Sequence, residues 1–341
     1  PISAPFNLGL NGNAITVSPE LYAALADAAD GDLADPAVSA QALARVVAAR
    51  RAKGGPPLTF GMTFPFSTHN YQLRFWMASA DVDPDEDVRM VVLPPPYMVD
   101  SLVNRHVDGF CVGAPWNSVA VDLGVGRILH FVSEILERAA EKVLAVRSLW
   151  AEENPDLLRR LMRAHGRAGA FVEDEANRAE VTEILAASHR LGVASEVIRR
   201  TLDGRLKVAV DGSVRASDRY LMVARKGAAR PDPVQAAWLY AQMVRWGQAP
   251  MSDVLLADAM ATFRPDLYDD VLGPHDLAPA SEPADGVGAF AGPAFDAGDL
   301  TGHLARWKIH RRSLPLFAVI CRFLPFLIMR IVTPFPQSSV W

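Results

Sequence analysis

Three short stretches carry the side chains that have chemistry to offer. In Ser67-Thr68-His69-Asn70, Ser67 or Thr68 is of the type that caps a helix, leaving the first N–H groups and the positive dipole end outward, with His69 in the first turn. Such a terminus takes an anion; the plainer reading is that the hydroxyls only cap and His69 packs as a partly buried polar residue. In Phe110-Cys111-Val112-Gly113-Ala114-Pro115-Trp116-Asn117, an apolar strand runs into a helix with Pro115 at its first position. Gly113 lets a ligand approach the backbone, whose neighbouring N–H groups donate. The alternative is a tight turn with Trp116 in the core, and Cys111 belongs to the core on either reading. In Glu141-Lys142-Val143-Leu144-Ala145-Val146, a lysine leads an apolar strand. At the mouth of a cleft, Lys142 meets an anion at about 4 Å for roughly 4 kcal/mol at an effective dielectric of 20, before desolvation. Added to a helix terminus, that suffices for a micromolar ligand, which needs about 8 kcal/mol in total. Otherwise Lys142 is a surface residue paired with Glu141.

The elements that must position these residues follow from periodicity. Residues 1–18 read as an extended segment, with Asn11-Gly12-Asn13 as a turn and Ala14–Val17 as a strand. Residues 20–53 read as helix in two pieces, with Leu21, Leu25, Leu43, Val46 and Val47 at helical spacing, closed by Gly54-Gly55-Pro56-Pro57. Strand and helix then alternate: strand Leu58–Phe64, helix Thr68–Ser79, strand Val88–Leu93, helix Pro96–Asn104, strand Gly109–Val112, helix Pro115–Leu123. Lys142–Val146 is a further strand, residues 149–200 are amphipathic helices with basic outer faces, Val210–Val214 holds a hairpin turn, and Pro233–Trp246 is a helix. Residues 274–300, rich in Pro, Ala, Gly and Asp, predict a flexible tail or linker. The fold class is α/β, with strands whose carboxyl ends carry the three polar stretches, where open α/β sheets place ligands.

The 341 residues are half apolar and 21% charged, enough to bury a core of about two domains. Thirty-four Lys and Arg against 39 Asp and Glu give a net charge of −5, so no basic field holds nucleic acid. Cys111 and Cys321 stand far apart and give neither a disulfide framework nor a metal site. The chain has no phosphate loop, no Gly-x-Ser-x-Gly elbow and no His-Glu-x-x-His helix. Leu314–Val332 is mostly apolar and raises a membrane span, opposed by Arg322 at roughly 2.5–3.5 kcal/mol and by Pro315 and Pro325.

Taken together, Leu10–Thr16, Thr63–Arg74, Pro94–Val99, Asp108–Asn117 and Glu141–Val146 resemble the nitrate-binding branch of the solute-binding proteins of ABC transporters. That group holds nitrate and bicarbonate receptors and a soluble nitrate/nitrite sensor that works with an RNA-binding antiterminator. The likeness covers about residues 5–272, and the run Ser67–Leu73 is specific to the branch. It implies a type II periplasmic-binding fold: two lobes with mainly parallel sheets, closing over one small ligand. Residues 1–56 would be the remnant of a first lobe and the crossing segment, 57–140 the second lobe, 141–273 the return strand and helical part of the first, and 274–341 a tail. The family's first lobe begins upstream of the position matching Pro1, so this chain looks amino-terminally truncated and its first lobe incomplete.

By the same resemblance, His69, Gly113 and Lys142 fall on anion-contacting positions, and Asn11 or Asn13 lies in the crossing segment that lines the cleft. Lys142 supplies charge, His69 a donor and the Gly113 region backbone N–H groups, which suits a planar monoanion. A bicarbonate receptor is expected to carry a metal-supporting acidic residue in place of Lys142, so nitrate or nitrite is favoured, with no cofactor or metal. The partners implied are an ABC permease and ATPase, which places the chain in the periplasm, or the antiterminator, which places it in the cytoplasm; the Ala/Arg-rich composition leans towards the sensor. Two other functions compete. A pyrimidine synthase of this fold uses a pyridoxal cofactor and a cysteine-rich motif, but one cysteine lies in the matched region. A membrane-tethered interaction protein would use Leu314–Val332.

Overall fold

The computed structural model describes residues 1–273 and 283–311. Its first two strands, β1 (Ile2–Asn11) and β2 (Asn13–Val17), are separated by one residue and enter different sheets. Helices α1 (Pro19–Ala28) and α2 (Pro36–Ala52) follow, then β3 (Thr59–Met62), α3 (Thr68–Ala78), β4 (Arg89–Val92), α4 (Met98–Val103), β5 (Gly109–Gly113), α5 (Trp116–Asp122) and β6 (Arg127–Phe131). The chain returns through β7 (Ala140–Arg147) to α6 (Ser148–Glu153), α7 (Pro155–Glu173), α8 (Arg178–Ala186) and α9 (Ser195–Leu202). Short strands β8 (Arg205–Lys207), β9 (Val214–Ala216) and β10 (Leu221–Met222) precede α10 (Pro233–Arg245), α11 (Asp253–Thr262), α12 (Pro265–Leu272) and α13 (Leu300–Ala305).

The helix starts are written in the sequence. Ser18, Asp35, Ser67 and Asp232 each accept a hydrogen bond from a first-turn N–H group, and three of the four are followed by proline. Five strands form one sheet in the order β4-β3-β5-β2-β6, and three form another in the order β10-β1-β7. Within the larger sheet, parallel pairing is confined to β4, β3 and β5; β2 runs antiparallel to both β5 and β6, because it arrives from β1 rather than through a helical crossover. Strand β6, which periodicity did not single out, closes that sheet. The period of two along each strand sends Ile15, Val17, Phe60 and Cys111 to the face covered by α1, α2, α3 and α10. Phe110 and Val112 go to the other face, against Met98, Leu102 and Ala120 of α4 and α5. The smaller sheet rests Phe6 on Leu158, Met162 and Tyr268 of α7 and α12.

Composition predicts a flexible stretch over 274–300, and here the structure differs. From Pro283 to Arg311 the chain is a strap across α3 and α10, with Val287, Phe295, Leu300, Leu304 and Trp307 buried. Its backbone pairs with residues 135–138 (Glu137 N–H to Gly288 O, 2.9 Å; Arg138 N–H to Val287 O, 3.1 Å). The Asp285 carboxylate ties its first turn by accepting from the N–H groups of Val287, Gly288 and Phe295. Isolated apolar residues among Gly and Pro have no period, so their burial is tertiary and leaves no local signal. Residues 274–282, Cys321 and the apolar run Leu314–Val332 lie outside the described residues. Among the described residues, no helix is long and apolar enough to cross a membrane.

Candidate anion-binding site

The carboxyl ends of β3 and β5 and the start of β2 lie along one edge of the larger sheet, and β7 of the smaller sheet faces them. Around this edge meet His69 and Gln72 of α3, Asn13 of β2, the backbone of Gly113 at the end of β5, and Glu141 and Lys142 of β7. On α3, Ser67 caps the helix by accepting from Asn70 N–H at 3.2 Å, which sets His69 in the first turn. Thr68 donates to the Ala140 carbonyl at 3.2 Å and so ties this terminus to β7. His69 is buried, and its Nδ1 lies 3.0 Å from the Thr63 hydroxyl. With Thr63 donating to Nδ1, an assignment made from this geometry, the imidazole hydrogen sits on Nε2. Nε2 has no hydrogen-bond partner among the described residues and faces Glu141 Oε1 at 3.4 Å.

The structure brings four of the five expected residues together and leaves one apart. Gly113 ends β5, and a β-carbon built on it would lie 3.8 Å from Asn13 Oδ1 and 4.0 Å from His69 Nε2. Asn13 opens β2 opposite Gly113 and donates through Nδ2 to Glu141 Oε2 at 2.9 Å and to Gln72 Oε1 at 3.3 Å. Lys142 stands at the exposed rim, with Nζ bonded to Glu141 Oε1. His69 and Lys142 therefore address the same carboxylate oxygen. Asn11 is not part of this group: Nδ2 donates to the carbonyls of Glu137 and Arg219 at 2.8 and 2.9 Å, and Oδ1 accepts from Ala139 N–H. It is a left-handed turn residue that fastens the end of β1 (φ 61°).

Two residues that the sequence did not single out as part of the site belong to this cluster. Gln72 sits three residues after His69 on the same helical face, and its buried Nε2 has no partner among the described residues. Helical spacing from His69 was the available signal. Glu141 read from sequence as a surface partner for Lys142, whereas its side chain is nine-tenths buried and Lys142 is the outer one. The cause is local: successive side chains of a strand point to opposite faces, so on β7 Glu141 turns in where Lys142 turns out.

Electrostatics fix the protonation states. Burial pushes the His69 imidazole below its ordinary value; Glu141 opposes that shift and Lys142 adds to it. His69 is neutral at neutral pH. Burial pushes Glu141 up, while the Lys142 ammonium and the hydrogen bonds from Asn13 and Lys142 hold the carboxyl below the usual range. Cys111 beneath the site is fully buried, its thiol pushed well up by burial and by Glu141. It is no nucleophile.

A second constellation has the residue types of a hydrolytic triad. Ser39 Oγ lies 2.6 Å from His130 Nε2, and His130 Nδ1 lies 3.4 Å from Glu134 Oε2. Ser39 and His130 are both fully buried, and Ser39 also donates to the Pro36 carbonyl and accepts from Trp76 Nε1 at 3.0 Å. With no access for a substrate, it is a polar knot in the core. Among the described residues, no three His, Cys, Asp or Glu side chains could hold a metal ion.

The profile of the NMT1-like family matches residues 1–186, more than half of the chain. The chain belongs to the NMT1-like family. This NMT1-like chain is 31% identical over 255 residues to the nitrate/nitrite binding protein NrtA of Synechococcus elongatus, covering 74% of itself and 58% of that protein. It is 31% identical over 250 residues to the bicarbonate transport ATP-binding protein CmpC of the same species, covering 73% of itself and 34% of that protein. The NMT1-like chain thus spans about a third to three-fifths of the length of these relatives. Its fold matches the crystal structure of the periplasmic nitrate-binding protein NrtA from Synechocystis PCC 6803, with a TM-score of 0.77 at 24% identity, covering 91% of this chain and 78% of that one. The expected solute-binding fold and family likeness are borne out.

Proposed function

We propose that this chain binds nitrate or nitrite at the point where His69, Asn13, Gln72, Gly113 and Lys142 converge, as the receptor of an ABC importer. The observation that carries the reading is the meeting of His69 Nε2 and Lys142 Nζ on one oxygen beside Gly113. A planar monoanion accepts from a neutral N–H, an ammonium and an amide, and Gly113 leaves it room. The relatives named above include a bicarbonate transport ATP-binding protein and a periplasmic nitrate-binding protein, which favours a periplasmic receptor over a sensor. The role proposed for the site is binding.

A second reading, bicarbonate, is favoured by Glu141. Hydrogen carbonate carries an O–H that a carboxylate accepts, whereas nitrate has no hydrogen to give. Titration calorimetry with sodium nitrate, nitrite and hydrogen carbonate on the full chain separates the two. The expected outcome is heat from nitrate or nitrite that Lys142→Ala abolishes. Heat from hydrogen carbonate alone selects the second reading, and binding untouched by Lys142→Ala removes the site assignment.

A further inference from the structure

We propose that Glu141 makes anion binding at this site proton-linked: as the anion takes over Lys142 and His69, the displaced Glu141 carboxylate takes up a proton from solvent. This rests on the oxyanion reading of the site and adds the residue that sets how tightly, and at what pH, the anion is held.

Two of the donors an anion needs, Lys142 Nζ and Asn13 Nδ2, are engaged by a side chain of the same shape and charge, which also faces the third, His69 Nε2. Oε1 of Glu141 receives Lys142 Nζ and faces His69 Nε2 at 3.4 Å, while Oε2 receives Asn13 Nδ2 at 2.9 Å. A carboxylate is a planar, trigonal monoanion, as nitrate is. Glu141 therefore acts as a tethered competitor. The groups facing it are His69 from α3, Asn13 from β2, Cys111 from β5 and its neighbour Lys142 on β7, with Gln72 of α3 reaching it through Asn13. Lys142 is cationic, His69 is held neutral by burial, and the Cys111 thiol is pushed up, so this group balances to zero charge with Glu141 ionised.

Bringing in an anion leaves two negative groups sharing one ammonium in a nine-tenths buried setting. A proton relieves that, and Glu141 takes it, because nitrate is the conjugate base of a strong acid. The protonated carboxyl then offers an O–H to the anion, turning a repelling neighbour into a donor. The sign follows directly. The free carboxyl titrates below the usual range, the bound one higher, and between the two values affinity falls with rising pH by up to about tenfold per unit.

The test is titration calorimetry of the full chain with sodium nitrate, in buffers of different ionisation heat and across pH. Wild type should take up a proton, approaching one per anion, and bind more tightly as pH falls. Glu141→Gln, which keeps the size and the acceptor for Asn13, should bind nitrate more tightly with the proton uptake gone. Nitrate heat in wild type that is independent of buffer overturns the inference alone. So does proton uptake that persists in Glu141→Gln, since His69 then carries it. No heat from nitrate, nitrite or hydrogen carbonate overturns the receptor reading and this inference with it. The wild-type measurement decides even where the variant fails to fold.

Discussion

Gly109 and Gly113 open and close the same strand, yet a methyl group at each meets different surroundings. At Gly109 it would lie 2.9 Å from the Thr16 carbonyl oxygen and 3.0 Å from a Val17 methyl, backbone and core that cannot yield. Gly109→Ala should cost about 1–3 kcal/mol of stability, read as a lower denaturant midpoint at unchanged slope. At Gly113 the nearest atoms are Asn13 Oδ1 and His69 Nε2, at 3.8 and 4.0 Å, which is ordinary contact. Gly113→Ala should therefore fold as wild type and lose nitrate affinity by about tenfold or more, because the methyl fills the space the anion needs. Equal melting temperatures with unequal calorimetric affinities would bear this out; equal affinities would remove Gly113 from the site. His69 and Gly113 were legible by type and position, and Asn13, with Asn11 as its alternative, only through the family resemblance. Gln72 and Glu141 were not legible, because an amide on a helix face and an acid beside a lysine look like ordinary surface until the alternation of β7 turns one of them inward.

The elements show which signals survive in a sequence and which do not. Apolar periodicity, with a capping residue at α3, marked α1, α2, α3 and α10 and strands β2, β3 and β5, since these signals depend on neighbours a few residues away. The strap from Pro283 to Arg311 depends on partners far along the chain. Trp307 packs against Phe75 at 5.1 Å between ring centroids, and the Arg245 guanidinium lies 4.1 Å from its ring centre. Arg245 also donates from Nε to the Ile309 carbonyl at 3.1 Å. Trp307→Ala should cost about 3–5 kcal/mol and expose the strap to limited proteolysis before the rest of the chain. Cleavage at the wild-type rate would mean that the strap holds without its anchor. The Ser39 knot gives a second case. Ser39→Ala leaves Trp76 Nε1 and His130 Nε2 buried without an acceptor, a loss of about 1–3 kcal/mol for each group that finds no other partner, measurable by urea denaturation.

For the molecule as a whole, buried histidines and paired carboxylates push stability in the same direction with pH. Burial lowers the imidazoles of His69, His130 and His303 below 6.5, so below that pH the unfolded chain binds protons that the folded chain refuses. Glu134, Glu141 and Asp85 are also lowered, despite the opposing push of burial, by their cationic and hydrogen-bonding partners, and their contribution is lost as pH falls below the ordinary carboxylate range. Melting temperature should be level above about pH 7, fall first as pH drops below 6.5, and fall again below about 4.5. A curve that stays level down to pH 5 would mean that these histidines charge without cost inside the fold. One residue joins β1 in the smaller sheet to β2 in the larger: Gly12, at φ 84°, beside Asn11 at φ 61°. A connector that short has no slack. The two sheets can swivel about this pivot but cannot draw apart there, so any widening of the space around His69 and Lys142 is angular, and the torsions of Asn11 and Gly12 are the place to look for it.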